Sequence, residues 1–361
     1  MNKLKLYQDS YLNEAREQTD PLADEAVFYL YQHPDWIFQI NQFEILPSGE
    51  EIKSMPLPLS CFFSAFEELP VWQNDEKVRH AQQFFGQEGN RYLTLLGFYA
   101  LPYCYAFADG AQVLVRSKRI TDDIGMRLTE TALFLLDCYR PGTFLDDSKS
   151  LLSIAKVRLI HAFSRFFIKK YGKDWNMQWG QPVNQEDMIG TNLAFSLLVM
   201  RGMEKLGRFP GKETHEAVLH YWKLIGFYLG INISFWPETA KEAFELEKII
   251  RRRHMRSSDA GRKLVNSLIN YYRQAIPDEN IAGIVETMMA YFVGEKASEA
   301  LGISQKVKHP KELYAFTLDL SFFRQYGIVS SYVKTRRIFM EQTKEQFGME
   351  IKLQLPYQKR S

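Results

Sequence analysis

The stretch "KVRLIHAFSRFF", Lys156 to Phe167, decides how this chain is read. At about 100° per residue, Ile154, Arg158, His161, Arg165 and Ile168 fall on one narrow stripe. Ile160, Phe163 and Phe167 fall on the opposite side. A surface helix is apolar on one face and polar on the other. Here the polar stripe is bracketed by isoleucines and backed by aromatics, so Arg158 and His161 are expected to be buried and to face one cavity. Two inward guanidiniums and an imidazole need partners, because an unpaired buried charge is expensive. Those partners are either carboxylates, with Glu130, Asp137 and Asp187 as candidates, or a bound anion. A histidine set among arginines suits an anionic cofactor with a metal centre, such as haem, whose propionates take arginine forks.

Around this helix the chain reads as helical almost throughout. Asn184 is a natural N-cap for "NQEDMIGTNLAFSLLVMRGMEKLG", with Glu186 and Asp187 in the first turn. Gly207 and Pro210 stop that run, and a further helix carries "HEAVLHYWKLIGFYLG" to Gly230. "IGMRLTETALFLLDCYR", "PETAKEAFELEKIIRRR", "AGRKLVNSLINYYRQAI" and "NIAGIVETMMAYFVGEKASEAL" show the same period. "GAQVLVRS" alternates and reads as a short strand or an extended segment. The closing "GMEIKLQLPYQKRS" is polar and reads as a loosely held tail. The expected architecture is all-α: a single large helical domain over residues 76–300, with helical extensions over 1–75 and 301–361.

Composition narrows the function. The 361 residues are 46% hydrophobic and 24% charged, ordinary for a globular protein. Aromatics reach 14%, with 26 Phe and 19 Tyr, which suits thick apolar packing or a pocket for a large apolar ligand. A net charge of +2 gives no argument for nucleic acid. The three cysteines have no metal-ligand spacing and fit a reducing compartment. No secretory leader and no transmembrane run is visible. The expectation is a cytoplasmic protein, with peripheral membrane contact left open. There is no phosphate loop, Cys-x-x-Cys, His-Glu-x-x-His or nucleophile elbow. Asn192 interrupts an apolar stripe and reads as a core amide or a pocket residue. "RRRHMR", Arg251 to Arg256, could grip a diphosphate or a phospholipid, but such a run is ordinarily a solvated helix end. The remaining histidines, His254 among them, form no constellation.

With these residues in view, the chain resembles the oxygenase family typified by the latex clearing proteins and the fungal mycophenolic-acid oxygenase. "KVRLIHAFSRFF", "GQPVNQEDMIGTNLAFS" and "YWKLIGFYLGI" carry the resemblance, with "DPLADEAV", "ALPYCYAFADGAQVL" and "RLTETALFLLDCY" upstream. Together they run in consistent order from about Asp20 to Ile250. The resemblance implies a globin-like helical core holding haem b, and use of dioxygen to cleave carbon–carbon double bonds in an isoprenoid chain. It implies Arg158 and His161 as the catalytic pair, with His161 as iron ligand where the latex proteins have a lysine. Arg158, His161, Arg165, Thr191 and Asn192 would surround the cofactor. Thr191 and Asn192 stand where those proteins place a proximal histidine, and Asp146 and Asp147 stand where they place a glutamate base. The expected function is a haem-dependent oxygenase of an apolar small molecule. A non-catalytic lipid or isoprenoid carrier of the same fold is the alternative, and a protein with only a buried salt network is the third reading.

Overall fold

Helix starts are written locally and the computed structural model realises them. It describes residues 3–116, 123–147, 149–275, 279–304 and 331–356. Most of the expected C-terminal extension, residues 305–330 and 357–361, lies outside the described residues. In chain order, leaving aside a single turn at Glu50–Lys53, the α-helices are α1 (Asp9–Glu17), α2 (Pro21–Gln32), α3 (Asp35–Gln42), α4 (Leu57–Ser64), α5 (Asp75–Leu95) and α6 (Leu101–Tyr105). There follow α7 (Ala108–Arg116), α8 (Ile124–Cys138), α9 (Lys149–Tyr171), α10 (Gln185–Leu193), α11 (Val199–Lys205) and α12 (Lys212–Tyr228). The chain continues through α13 (Ala240–His254), α14 (Asp259–Ala275), α15 (Glu279–Val293), α16 (Glu295–Leu301) and α17 (Tyr332–Phe347). Side-chain caps open several of them. Asn74 accepts from Lys77 N at 2.9 Å and Asn184 from Asp187 N at 2.9 Å, while Thr239 and Glu242 form a capping box.

The described residues contain no strand, only two isolated bridges, so the all-α expectation holds. Of "GAQVLVRS", Gly110 to Arg116 are helical, part of α7, which corrects the extended reading; Ser117 lies outside the described residues. Its Ala108 and Ala111 are buried, α7 packs on α14, and Arg116 Nη1 donates to Gln112 Oε1 at 2.7 Å one turn back. A three-residue alternation carries too little information against that face. The tail is corrected in the opposite sense. Ile351, Leu353 and Leu355 are buried at 3%, 6% and 2% exposure. Asn41 grips the backbone of Leu355 on both sides, donating to its carbonyl at 3.1 Å and accepting from its N–H at 2.8 Å.

At the centre α12 lies against α5, while α9 is held between α2 and α8. Tyr139 stacks between Phe85 and Tyr221, with ring centroids 4.2 and 4.5 Å away. Two π-helical turns, Leu96–Ala100 and Ala194–Leu198, touch each other in this core. A π turn loosens the regular ladder of carbonyls. Tyr92 Oη donates to Phe195 O at 2.5 Å and Ser196 Oγ to Asn192 O at 2.9 Å. The same Tyr92 hydroxyl accepts from Trp222 Nε1 at 2.9 Å, tying the second π turn to α5 and α12.

Candidate oxygenase site

The inward stripe of α9 meets α2. Arg158 is 8% exposed and forks onto Asp20, with Nε at 2.7 Å from Oδ2 and Nη2 at 2.9 Å from Oδ1. Its Nη1 donates to Tyr228 O at 3.4 Å, and its plane lies over Phe62 and Phe66. Asp20 thereby holds two roles, since Oδ1 also caps α2 by accepting from Ala23 N. The turn after α12 closes the pocket around this pair. Gly230 has φ +79°, and a Cβ there would stand 2.4 Å from Asp20 Oδ2 and 2.8 Å from Arg158 Nε. Arg165, 1% exposed, gives Nε to Asp24 Oδ1 at 2.6 Å and Nη1 to Val183 O at 3.3 Å. The carboxylates that answer the stripe are therefore Asp20 and Asp24, not Glu130, Asp137 or Asp187. Asp137 goes to Arg140, Arg336 and Ser153, and Asp187 to Arg16 and Asn184.

His161 is different. The ring is half-buried and, among the described residues, pairs with no carboxylate, and its Nδ1 is shut away without a hydrogen-bond partner. Burial pushes its pKa down to about 3, and Arg165 and Arg127 add to the effect. The imidazole is thus neutral near pH 7 and keeps a lone pair available. Arg165 Nη2, one turn along, is likewise buried with no partner. So the helix carries two ion pairs, to Asp20 and Asp24, and two uncommitted polar atoms, His161 Nδ1 and Arg165 Nη2.

Thr191 and Asn192 lie on α10, away from that stripe. Asn192 is buried, and its Nδ2 donates to Trp222 O at 2.8 Å across to α12. This is the core-amide outcome. Thr191 gives Oγ1 to Asp187 O at 2.9 Å and also meets the Cys104 thiol, whose pKa burial raises to about 12. Asp146 and Asp147 sit in the turn ahead of α9, where both backbone N–H groups bond to Gly142 O at 3.0 Å.

Sequence reasoning missed a second polar centre, built from the supposedly solvated "RRRHMR". Arg252 does lie at the surface, on Asp9, but Arg253 and His254 turn inward. His254 Nε2 is 3.0 Å from Glu186 Oε2 and its Nδ1 3.2 Å from Asp109 Oδ2. Arg253 Nε bonds Glu186 Oε1 at 2.8 Å, Arg256 bonds Asp109, and Arg16 reaches Asp187 at 3.0 Å and Glu186 at 3.4 Å. Burial disfavours the His254 imidazolium, yet Asp109 and Glu186 outweigh it and raise the pKa. Burial likewise opposes the Asp109 and Glu186 carboxylates, but His254 and the arginines hold both below their usual range. The signal available in sequence was an acidic pair, Glu186 and Asp187, at the start of α10. This cluster joins α1, α7, α10 and the end of α13, and sets three carboxylates against three guanidiniums and the His254 imidazole. Among the described residues no trio of His, Cys, Asp or Glu is arranged to hold a bare metal ion.

This geometry can be set beside known proteins. Residues 95–323 match the family described as "ER-bound oxygenase mpaB/B'/Rubber oxygenase, catalytic domain". The chain belongs to this oxygenase family. A latex clearing protein solved in its closed state has the same fold, with a TM-score of 0.68 and 18% identity over 92% of this chain and 91% of that one. No curated protein matches the chain. The segment ahead of the oxygenase match supplies Asp20 and Asp24, so the N-terminal helices complete the inward stripe of this family member.

Proposed function

We propose that the chain is a haem-dependent oxygenase of an apolar small molecule, with haem b held at His161. Family membership supports oxygenase chemistry on an apolar substrate. The observation that carries the rest is His161, which among the described residues is the member of the stripe left without a carboxylate and is kept neutral by burial. The residues fit a haem. A porphyrin brings four nitrogen ligands of its own, so a single neutral imidazole suffices as protein donor. Arg165 Nη2, buried and uncommitted, offers an N–H to an anionic edge of the cofactor. Haem, when bound, supplies the iron at which dioxygen is activated.

Arg158, fully engaged by Asp20, acts in this reading as a positioning residue. Its fork fixes the turn of α9 that carries His161, one turn from the α2 N-terminus. Asn192 is committed to Trp222 and braces α10 against α12, so neither it nor Thr191 is assigned as an iron ligand. The apolar, aromatic interior excludes water and holds the substrate. Isoprenoid chains are the substrate class we assign.

The test is a hemin titration of the purified protein followed in the Soret region. Wild type should saturate with one equivalent. His161→Ala should lose affinity or change the band while keeping its helical circular dichroism, since alanine is the best helix former. Asn192→Ala should leave the band unchanged. Identical titrations for wild type and His161→Ala would remove His161 as ligand. No haem uptake by wild type would favour the lipid-carrier alternative.

A further inference from the structure

The outer side of α9 is not apolar core. Phe163 is buried, but Phe167 and Tyr171 continue its stacked ladder into solvent at 36% and 59% exposure. Tyr31 of α2 joins them, 4.7 Å from Phe166 by ring centroids and 3.1 Å from Tyr171 between hydroxyls. Lys170 Nζ lies 3.8 Å above the Tyr31 ring, with Lys169 and Lys173 exposed beside it. One turn back along α2, Phe28 is 56% exposed, and it lines a groove with Asp24, Glu25, Tyr29, Gln32 and Pro58. Lysines at a helix C-terminus are accounted for by the helix dipole. Exposed Phe28, Phe167 and Tyr171 are not, and exposed aromatics on one face with three lysines at its α9 end call for an occupant.

We propose that this α2/α9 face docks on an anionic phospholipid surface. Aromatic side chains with polar tips settle at the headgroup boundary, and lysines beside them answer anionic lipid. A second copy of the chain would pair this lysine-bearing face with another of the same charge, whereas an anionic bilayer supplies the countercharge. The groove on the same face reaches Asp24, the partner of Arg165, so an apolar molecule leaving the bilayer would arrive beside the inward stripe of α9. The docking itself rests on this surface alone and stands whether or not haem binds His161.

Flotation of the full chain with phosphatidylcholine vesicles, with and without added phosphatidylserine, tests it. Wild type should float with the phosphatidylserine vesicles, and salt should release it. Lys169→Gln/Lys170→Gln/Lys173→Gln should weaken that binding about tenfold or more. Phe28→Ser/Phe167→Ser should weaken it with the lysines intact, and a remote control, Lys241→Gln/Lys248→Gln, should bind as wild type does. Circular dichroism shows that each variant is folded. Wild type that floats with neither vesicle, or patch variants that bind like the control, would overturn the proposal. So would a wild-type dimer that the patch variants convert to monomer, since the face would then belong to a second copy.

Discussion

Asp20 serves α2 and α9 at once, and among the described residues Arg158 pairs with no other carboxylate. Removing the acid leaves a guanidinium buried among Phe62, Phe66 and the Tyr228 carbonyl. Loss of one partner of a buried pair costs about 3–5 kcal/mol, well above the worth of a surface pair. Asp20→Ala is therefore expected to lower unfolding free energy by about that amount in urea. Arg158→Lys should fall between wild type and Asp20→Ala, because lysine keeps the charge and loses the second hydrogen bond. A cost under about 1 kcal/mol for Asp20→Ala would mean that the pair behaves as a solvated one.

Among the elements, α14 shows how packing overrides propensity. Gly261 lies in its first turn, where a Cβ would sit 2.4 Å from the backbone carbonyl of Tyr105 at the end of α6. Alanine in a helix interior is intrinsically better than glycine by about 1 kcal/mol. The obstacle is backbone and has no rotamer to escape into, so Gly261→Ala should still destabilise, by about 1–3 kcal/mol. Thermal unfolding gives the sign directly, and a raised melting temperature would show that α14 can move off α6 at no cost. Helix boundaries were legible because caps are local: Asn184 and its acidic first turn lie within four residues of each other. The state of "GAQVLVRS" was not, since its helical face is defined by α14, some 150 residues later, and not by its own alternation.

At the scale of the molecule, three histidines set opposite pH limits. Burial lowers His161 to about 3, and burial with Lys77 and Lys223 lowers His220 to about 4, where its Nε2 accepts from Asn74 N. Both have folded values below the unfolded value of about 6.5. As pH falls through about 6.5, the unfolded chain takes protons that the folded chain refuses, and stability declines toward those lower values. His254 runs the other way. Its raised folded pKa gives stabilisation that is complete below about 6.5 and lost as pH rises through the folded value. Denaturant unfolding across pH should show His161→Gln with a flatter acid limb than wild type and His254→Gln with a flatter alkaline one. Parallel profiles for all three proteins would show that neither ring titrates differently on folding.

By itself the sequence determined that the chain is helical almost throughout, where α10 begins and α12 ends, and that Arg158, His161 and Arg165 share a face bracketed by apolar residues. Those properties depend on spacing and on caps a few residues away, so they are written locally. Only the tertiary structure decided what each polar group meets. Arg158 finds Asp20 from 138 residues away, His254 finds Asp109 from 145, and a polar-looking tail buries Ile351, Leu353 and Leu355. A charge run reads the same whether water or a carboxylate solvates it. The choice rests on which helix ends arrive beside it, and therefore on packing between elements that no local period encodes.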